Sequence, residues 1–276
     1  MCLIDYTTKP PSATGFMEKI VFLKQSGGIC GAFIETTAMP VDFMGIRDII
    51  NDAVKIHIEA EVLQMIQLLC YGDSNTWGFN PGTSGRYPWG VRWTSVLQEK
   101  LDPYGVRVLE EGLCGRTTVY EDSRCAGRNG LAELPMVLDT HRPIEAAVLM
   151  LGTNDCKTCY GLDAETIAEG MGRCLDCLLR ELDPQKILAV APMPLGDRIG
   201  EDGFDTDFDN VSLAVSSELF PAYRAVCERR RIALLNAGDY VRVSDIDQEH
   251  LDESGHARFA EVVFRALLEM NIVNRN

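Results

Sequence analysis

From residue 65 onward, short apolar segments alternate with segments of helical periodicity. The apolar segments have the length of buried strands. They span Ile66 to Tyr71, Val106 to Leu109, Ala146 to Leu151, Lys186 to Ala191 and Ile232 to Leu235. The helical segments span Trp93 to Leu101, Leu131 to Leu138, Ala164 to Leu182, Ser212 to Arg230 and Ser254 to Met270. Because continuous apolar strands separated by helices are typical of a parallel sheet covered on both faces, the pattern predicts an α/β fold around a five-stranded parallel sheet.

The first part of the chain does not share this rhythm. Lys19 to Leu23 has the composition of a strand, and Val41 to Leu63 has the spacing of an amphipathic helix. We therefore interpret residues 1–64 as an N-terminal extension and residues 65–276 as the main domain. Two explanations of the extension stay open: an accessory segment that packs beside the core, or a translation start upstream of a natural start at Met65.

Composition narrows the class of protein. The chain has 276 residues, of which 46% are hydrophobic, enough for one sizeable core. Its net charge of −15 would repel phosphate backbones, so nucleic acid is not an expected partner. No apolar run approaches the ~18 residues of a membrane helix, and the first residues lack the basic and apolar regions of a secretory signal. We expect a cytoplasmic protein with no membrane partner.

Polar residues and glycines follow the predicted strands at the points where each strand ends. Ser74 follows the first strand, Gly115 the second and Asn154 the third, while Asp247 and His250 lie in the loop before the last helix. Ligands of open parallel sheets bind beyond the carboxyl ends of the strands. We therefore expect these segments to converge on one edge of the sheet.

The pairing of a serine with a histidine and an aspartate points to nucleophilic catalysis, because a serine hydroxyl attacks well only when a base takes its proton. The chain has four histidines, His57, His141, His250 and His256. Asp247 precedes His250 by three residues in a loop, a spacing that lets the carboxylate orient the imidazole. Ser74 is thus the candidate nucleophile and His250 the candidate base. His256, in the first turn of the last helix, remains the alternative base, while His141 is placed to cap a helix and His57 to pack or lie on the surface.

Such a nucleophile also needs hydrogen-bond donors where negative charge develops. The backbone N–H groups of Ser74 and Gly115 and the side-chain amide of Asn154 are the candidate donors of an oxyanion hole. Gly115 has no side chain to obstruct a substrate. The alternative for Gly115 and Asn154 is that they are turn residues, and Gly72-Asp73-Ser74 taken alone is equally an ordinary polar turn after a strand.

Aromatic residues cluster just after the candidate nucleophile: Trp77, Phe79, Tyr87, Trp89 and Trp93. We propose Trp77, Trp89, Trp93 and the neighbouring Cys114 as walls of a substrate pocket. The alternative is that they pack the loop and the following helix, with Cys114 a small packing residue.

Four short segments resemble, in order, the sequence blocks of the SGNH hydrolases. They are Gly72-Asp73-Ser74, Gly115, Gly152-Thr153-Asn154-Asp155 and Asp247-x-x-His250, within Met65 to Met270. The longer strings at 72–78 and 110–118 are similar to the arylesterase branch, which includes acyl-transferring enzymes. The segments at 1–64 and 196–210 have no counterpart that we can assign.

The resemblance implies a flavodoxin-like three-layer α/β/α sandwich. It also implies a serine esterase that hydrolyses or transfers small acyl groups through an acyl-enzyme on Ser74, with Asp247 and His250 completing the triad and Ser74, Gly115 and Asn154 forming the oxyanion hole. No metal or organic cofactor is expected, the partner is a small-molecule ester, and a homo-oligomer is possible. The alternatives within the fold are a carbohydrate O-deacetylase, a lysophospholipase-type lipase and an inactive binding module.

Cysteine spacing provides the competing interpretation. Of the ten cysteines, Cys156-x-x-Cys159 and Cys174-x-x-Cys177 are separated by fourteen residues, close to the spacing of a zinc ribbon. The second pair lies in a helical pattern, which does not suit a zinc knuckle. We therefore expect free thiols in a reducing compartment and no metal.

Overall fold

The computed structural model describes residues 65–273 and, within residues 1–64, the backbone of three strands. These strands are β1 (Cys2–Tyr6), β2 (Lys19–Gln25) and β3 (Gly28–Glu35), and they form an antiparallel sheet in the order β1-β2-β3. The strand expected at Lys19 to Leu23 is part of β2, whereas the helix expected at Val41 to Leu63 lies outside the described residues. Internal contacts divide the chain into two units, Met1–Leu63 and Gln64–Asn276.

The second unit is built on a parallel sheet. Its strands within residues 65–273 are β4 (Ile66–Gly72), β5 (Phe79–Asn80), β6 (Gly85–Arg86), β7 (Val106–Gly112), β8 (Ala146–Met150), β9 (Ile187–Ala191) and β10 (Ala233–Asn236). Five of them pair in the order β10-β9-β8-β4-β7, with every pairing parallel, while β5 and β6 form a small antiparallel ribbon. The predicted five-stranded parallel sheet is confirmed.

The order of the strands locates the place where a ligand can bind. From β4 the chain adds β7 on one side and then crosses over to add β8, β9 and β10 on the other. This is the doubly wound order in which the direction of winding reverses between the first and third strands. A crevice therefore opens beyond the carboxyl ends of β4 and β8, where the chain leaves the sheet in opposite directions.

Helices connect the strands and cover both faces of the sheet. They are α1 (Ser74–Trp77), α2 (Trp93–Leu101), α3 (Gly130–Thr140), α4 (Ala164–Leu178), α5 (Asn210–Arg230) and α6 (Glu253–Glu269). No helix in the part of the chain described here combines the length and the apolarity needed to cross a bilayer.

Two helix boundaries differ from the sequence-based expectation for local reasons. Helix α5 begins at Asn210, before Ser212, because Asp209 accepts hydrogen bonds from the N–H groups of Val211 and Ser212 and caps the helix. Helix α4 ends at Leu178, before Leu182, because the N–H groups of Arg180 and Glu181 bond to carbonyls three residues back and tighten the last turn.

The side chains of β4 show why both faces of the sheet are covered. Leu69 and Tyr71 are buried in a cluster with residues of α3, α4 and α5, while Leu68 and Cys70 are buried in a second cluster with residues of α2 and α6. Successive side chains of a strand point to opposite faces, so a continuous apolar strand requires a helical layer on each side. The result is the expected three-layer α/β/α sandwich.

A glycine at the end of β7 lets the turn after β4 come close to the sheet. A Cβ atom on Gly112 would lie 2.1 Å from the backbone nitrogen of Trp77 and 2.5 Å from the carbonyl carbon of Thr76. Both contacts are with backbone, which cannot rotate away as a side chain can. Helix α1, and with it Ser74, therefore rests directly on the bare backbone of β7.

We expect the Gly112→Ala substitution to destabilise the protein by about 3 kcal/mol, since the added methyl group overlaps the backbone of α1. Urea denaturation of the two proteins measures the difference. Gly82→Ala is the matched control, because its nearest contact would be a side-chain oxygen of Asn80 at 3.3 Å. Equal stabilities of the Gly112→Ala variant and the unsubstituted protein would contradict the close approach of α1 to β7.

Candidate active site

Ser74 is presented by a tight turn at the carboxyl end of β4. Asp73 caps α1, with its Oδ1 accepting a hydrogen bond from the N–H of Asn75 at 3.0 Å. One turn later Gly78 adopts φ +87° and its N–H donates to the carbonyl of Ser74 at 2.9 Å, so α1 ends after four residues. The turn therefore holds Ser74 at the edge of the sheet, only 4% exposed.

The structure brings Ser74, His250 and Asp247 together in one chain of hydrogen bonds. The Oγ of Ser74 lies 2.8 Å from Nε2 of His250, and Nδ1 of His250 lies 2.7 Å from Oδ2 of Asp247. The other carboxylate oxygen of Asp247 accepts the backbone N–H groups of Glu249 and His250, at 3.1 and 3.0 Å. The carboxylate is thus fixed in the loop that carries the imidazole, and it can fix the tautomer in which Nε2 accepts the serine proton.

Charges around the imidazole favour its protonated form. Burial by itself lowers the pKa of His250, but the negative charge of Glu249 and the hydrogen bond and charge of Asp247 outweigh it, so the pKa lies above its usual value. Burial by itself raises the pKa of Asp247, but its hydrogen bond to His250 and the charge of that ring hold it below the usual range. Asp247 is therefore the carboxylate that stays ionised beside the imidazole.

A second carboxylate at the turn behaves differently. Asp73 is 1% exposed, and its Oδ2 has no hydrogen-bond partner. Burial raises the pKa of Asp73 to about 6, against the opposing effects of its bond to the N–H of Asn75 and the charge of His250. Asp73 thus serves the turn as a cap rather than as the orienting partner of the histidine.

Asn75 joins the serine turn to the histidine loop. Its side-chain amide donates to the carbonyl of Glu249 at 3.3 Å and accepts the N–H of Leu251 at 3.0 Å, while its own carbonyl accepts the indole N–H of Trp93. The residue is 2% exposed, so these bonds are shielded from water. Sequence reasoning did not identify Asn75, and its only signal is its position directly after Ser74.

A cavity of about 310 Å³ opens beside the serine. It is lined by Ser74, Phe79, Pro81, Ser84, Cys114, Gly115, Asn154, Lys157, Asp205, Asp247, Glu249 and His250. The three residues that carry the candidate oxyanion donors therefore line the same space as the candidate nucleophile and base. Gly115 adopts φ +81°, a conformation that favours glycine, and the amide of Asn154 donates to the carbonyl of Arg116 at 3.2 Å.

A buried carboxylate ties together the two loops that carry Gly115 and Asn154. Asp155, which is fully buried, accepts the backbone N–H of Thr118 at 3.0 Å and also its hydroxyl. Burial raises the pKa of Asp155 to about 6, although its hydrogen bonds to Thr118 act in the opposite direction. These hydrogen bonds hold the loop after β7 against the loop after β8 at the edge of the cavity.

The predicted substrate-pocket residues separate into two groups. Cys114 lines the cavity, and burial raises the pKa of its thiol to about 11, so the thiol stays protonated at neutral pH. The three tryptophans lie elsewhere: Trp93 is fully buried against Phe259, Trp77 packs under the guanidinium of Arg86, and Trp89 is 56% exposed. Their placement as pocket walls is thus corrected, because none of the three lines the cavity: Trp77 lies in α1 and Trp93 in α2, while Trp89 lies in the exposed segment before α2.

The apolar wall of the cavity is formed instead by Phe79 and Pro81. The ring of Phe79 lies against the imidazole of His250, with 4.2 Å between the ring centroids. Sequence reasoning noted Phe79 as part of the aromatic cluster but did not distinguish it from the tryptophans. Only the position of the β5–β6 ribbon, which brings the segment back over the serine, makes that distinction.

The alternative base is placed away from Ser74. His256 is buried in α6, where its Nδ1 accepts the backbone N–H of Trp93 at 3.2 Å. Burial lowers the pKa of His256 to about 4, so the ring stays neutral. His141 follows α3 as expected and bonds to Glu111, while His57 lies outside the described residues. Of the three described histidines, His250 is the one that reaches the serine.

Three of the four cysteines in the two Cys-x-x-Cys segments take part in packing. Cys156 and Cys174 are buried and their thiols donate to the carbonyls of Gly152 and Thr118, whereas Cys159 is exposed. Among residues 65–273, no group of three or more histidine, cysteine or acidic side chains is placed to hold a metal ion.

A larger cavity of about 600 Å³ lies beyond the ends of β9 and β10. It contains Ser216 and Ser217 but no histidine among its lining residues. Neither serine therefore has a histidine beside it in that lining to take its proton. The smaller cavity, which contains both Ser74 and His250, is the candidate active site.

Comparison with known proteins agrees with this arrangement. Residues 70–258 match the GDSL-like lipase/acylhydrolase family. A carbohydrate acetylesterase from Sinorhizobium meliloti is 31% identical, covering 74% of this chain and 99% of that chain with a TM-score of 0.69. A carbohydrate acetylesterase family member from the same organism is 35% identical, with 75% and 99% covered and a TM-score of 0.67. The aryl esterase of M. smegmatis is 28% identical, with 74% and 99% covered and a TM-score of 0.68.

No curated protein sequence matches the chain significantly. The fold and the matches nevertheless define an enzyme of the carboxylic ester hydrolase class. The chain belongs to the GDSL-like lipase/acylhydrolase family. The prediction of an SGNH/GDSL hydrolase similar to arylesterases is therefore confirmed.

We expect the Asn75→Ala substitution to lower both stability and ester turnover, since it leaves the carbonyl of Glu249 and the N–H of Leu251 buried without partners. The loss in stability should be about 2 kcal/mol, as for other buried groups deprived of a hydrogen bond. Urea denaturation and kcat on a soluble ester measure the two effects. Asn236→Ala is the control, because the side-chain amide of Asn236 donates its hydrogen bond to Asp239 at an exposed position. An Asn75→Ala variant with unchanged kcat would show that Asn75 does not position the histidine loop.

Proposed function

We propose that the protein hydrolyses esters of small acyl groups through an acyl-enzyme on Ser74, with His250 as general base and acid and Asp247 as its orienting partner. The observation that carries this proposal is the pair of contacts at His250, 2.8 Å to Ser74 and 2.7 Å to Asp247, at the wall of a cavity. The contact with Ser74 is short enough for proton transfer, and the contact with Asp247 is short enough to fix the tautomer of the ring.

In the first step Ser74 attacks the ester carbonyl while its proton passes to Nε2 of His250. The carbonyl oxygen becomes an oxyanion that the N–H groups of Ser74 and Gly115 and the amide of Asn154 stabilise. The tetrahedral intermediate collapses as the bond to the alcohol breaks. The alcohol oxygen takes the proton from Nε2, leaving the acyl group on Ser74.

In the second step a water molecule attacks the acyl-enzyme. His250 takes the proton of this water and returns one to Ser74 when the carboxylic acid is released. A second alcohol in place of water would give acyl transfer by the same route. The charge of Asp247 stabilises the imidazolium that forms in each step.

The cavity favours short acyl groups. Its volume of about 310 Å³ must hold both the acyl group and the start of the leaving group, and Phe79 and Pro81 close part of it. Polar and charged residues occupy the rest of the lining, including Ser84, Lys157 and Asp205. Such a lining suits a polar alcohol such as a sugar. Removal of acetyl groups from carbohydrates is therefore the second candidate activity, and the similar protein from S. meliloti is named a carbohydrate acetylesterase.

We expect the Ser74→Ala variant to lose ester hydrolysis by at least about 10³-fold in kcat, because the substitution removes the hydroxyl that lies 2.8 Å from Nε2 of His250. A fluorophosphonate probe should label the unsubstituted protein at Ser74 and leave Ser74→Ala unlabelled. Ser217→Ala, which removes an exposed hydroxyl bonded to the carbonyl of Leu213, is the matched control. Undiminished hydrolysis by a folded Ser74→Ala variant would refute the acyl-enzyme mechanism.

We expect kcat/KM for 4-nitrophenyl esters to fall by at least about tenfold between acetyl and octanoyl chains. Each buried CH₂ contributes about 0.8 kcal/mol where a protein has room for it, so an acyl tunnel would give the opposite trend. A fall with chain length therefore reports the size of the cavity. A steady rise up to the octanoyl ester would instead favour a lysophospholipase-type lipase.

A further inference from the structure

Glu249 lines the catalytic cavity but has no part in the triad. The residue is 7% exposed, and its Oε1 lies 3.7 Å from Nε2 of His250. Asp247, two residues earlier, contacts the opposite ring nitrogen. The carboxyl group of Glu249 is therefore on the reacting side of the imidazole, where the proton is exchanged with serine and leaving alcohol.

This position places Glu249 beside the leaving group of an ester. Nε2 must be within hydrogen-bond distance of the leaving oxygen when it donates the proton. The carboxyl group of Glu249 then lies within about 7 Å of that oxygen, close enough to contact a substituent of the leaving group. The acyl group, by contrast, is held at the Ser74 oxygen and the oxyanion donors.

The surroundings leave this side of the cavity acidic. The groups that act on Glu249 come from three segments: His250 and Asp247 of its own loop, Asp205 of the segment before α5 and Lys157 of the loop after β8. Cys114, from the loop after β7, also faces it and is held protonated by burial. Lys157 is the one lysine or arginine among the lining residues of the cavity. Its Nζ lies 3.4 Å from Oδ2 of Asp207, so its charge is already paired.

We propose that Glu249 determines leaving-group specificity: its carboxyl group accepts a hydrogen bond from a hydroxyl of the departing alcohol and repels leaving groups that carry negative charge. The substrates favoured by this residue are acyl esters of neutral, hydroxyl-rich alcohols. The inference rests on the proposed function, because it takes His250 as the donor to the leaving oxygen.

The same carboxyl group makes the selectivity depend on pH. Burial raises the pKa of Glu249 to about 7, although the charges of His250 and Lys157 act against it. Below that pKa the carboxyl is neutral and can both donate and accept, whereas above it the carboxylate only accepts. Discrimination against anionic leaving groups should therefore increase as the pH rises through about 7.

The test compares two acetate esters that differ in the charge of the leaving group, 3-(hydroxymethyl)phenyl acetate and 3-acetoxybenzoate. The unsubstituted protein should favour the neutral ester, and the ratio of the two kcat/KM values should be larger at pH 8 than at pH 6. In Glu249→Gln the ratio at pH 8 should fall about tenfold and lose its pH dependence, because the repelling charge is gone. A change in the pKa of His250 affects both esters alike and cancels in the ratio.

Asp202→Asn is the charge-matched control, since Asp202 is exposed and lies outside the cavity lining. It should leave the ratio unchanged. Glu249→Leu also removes the charge, should lower the ratio at pH 8 in the same way, and provides the test if Glu249→Gln does not fold. Glu249→Asp keeps the charge and should keep most of the discrimination. A ratio that is the same in the unsubstituted protein and in folded Glu249→Gln at both pH values would overturn the inference.

Labelling by the fluorophosphonate probe separates this failure from failure of the mechanism. If Glu249→Gln is labelled at Ser74 and its ratio is unchanged, only the role of Glu249 is refuted. If folded Ser74→Ala retains full turnover of both esters, the proposed function falls and the role of Glu249 falls with it.

Discussion

The hydrogen bond between the hydroxyl of Ser74 and the imidazole of His250 is the interaction on which the rest of the site depends. It joins residues 176 positions apart, one directly after the first strand of the parallel sheet and the other just before the last helix. Both segments must reach the same edge of the sheet, and the doubly wound strand order brings them there. Asn75 then fixes their separation by bonding the backbone on both sides of His250. The geometry thus follows from topology first and from one buried amide second.

The fold was largely predictable from sequence because its signals are local and repeated. Each central strand is a continuous apolar segment and each long helix has a helical pattern, so the errors in these elements lie at ends such as the last turn of α4. The elements β1, β3, β5, β6 and α1 were not predicted. The convergence of Ser74, Gly115, Asn154 and His250 on one cavity could also be expected, since parallel strands expose their carboxyl ends at one edge.

What sequence could not supply is the direction in which side chains of neighbouring residues point. Trp77 and Phe79 are two residues apart and both aromatic, yet only Phe79 faces the cavity, because the left-handed Gly78 between them reverses the chain. Asn75 and Glu249 carry no motif of their own. Their importance comes from contacts with residues distant in sequence, and such contacts have no periodic signature along the chain.

Because of three buried carboxyl groups, the pH range that favours stability differs from the pH range in which His250 can act as a base. Burial raises the folded-state pKa values of Asp73 and Asp155 to about 6 and of Glu249 to about 7, above the ordinary values that the unfolded chain has. The stability that these groups contribute is fully present below about pH 4 and is lost as the pH rises through 6 to 7. The mechanism proposed for His250 needs the neutral ring, which forms only as the pH rises above its elevated pKa. In the pH range in which His250 is neutral, the protein has therefore already lost the stability that these protonated carboxyl groups contribute. The hydrogen bonds of Asn75, Asp155 and Asp247 hold the loops in place in that range.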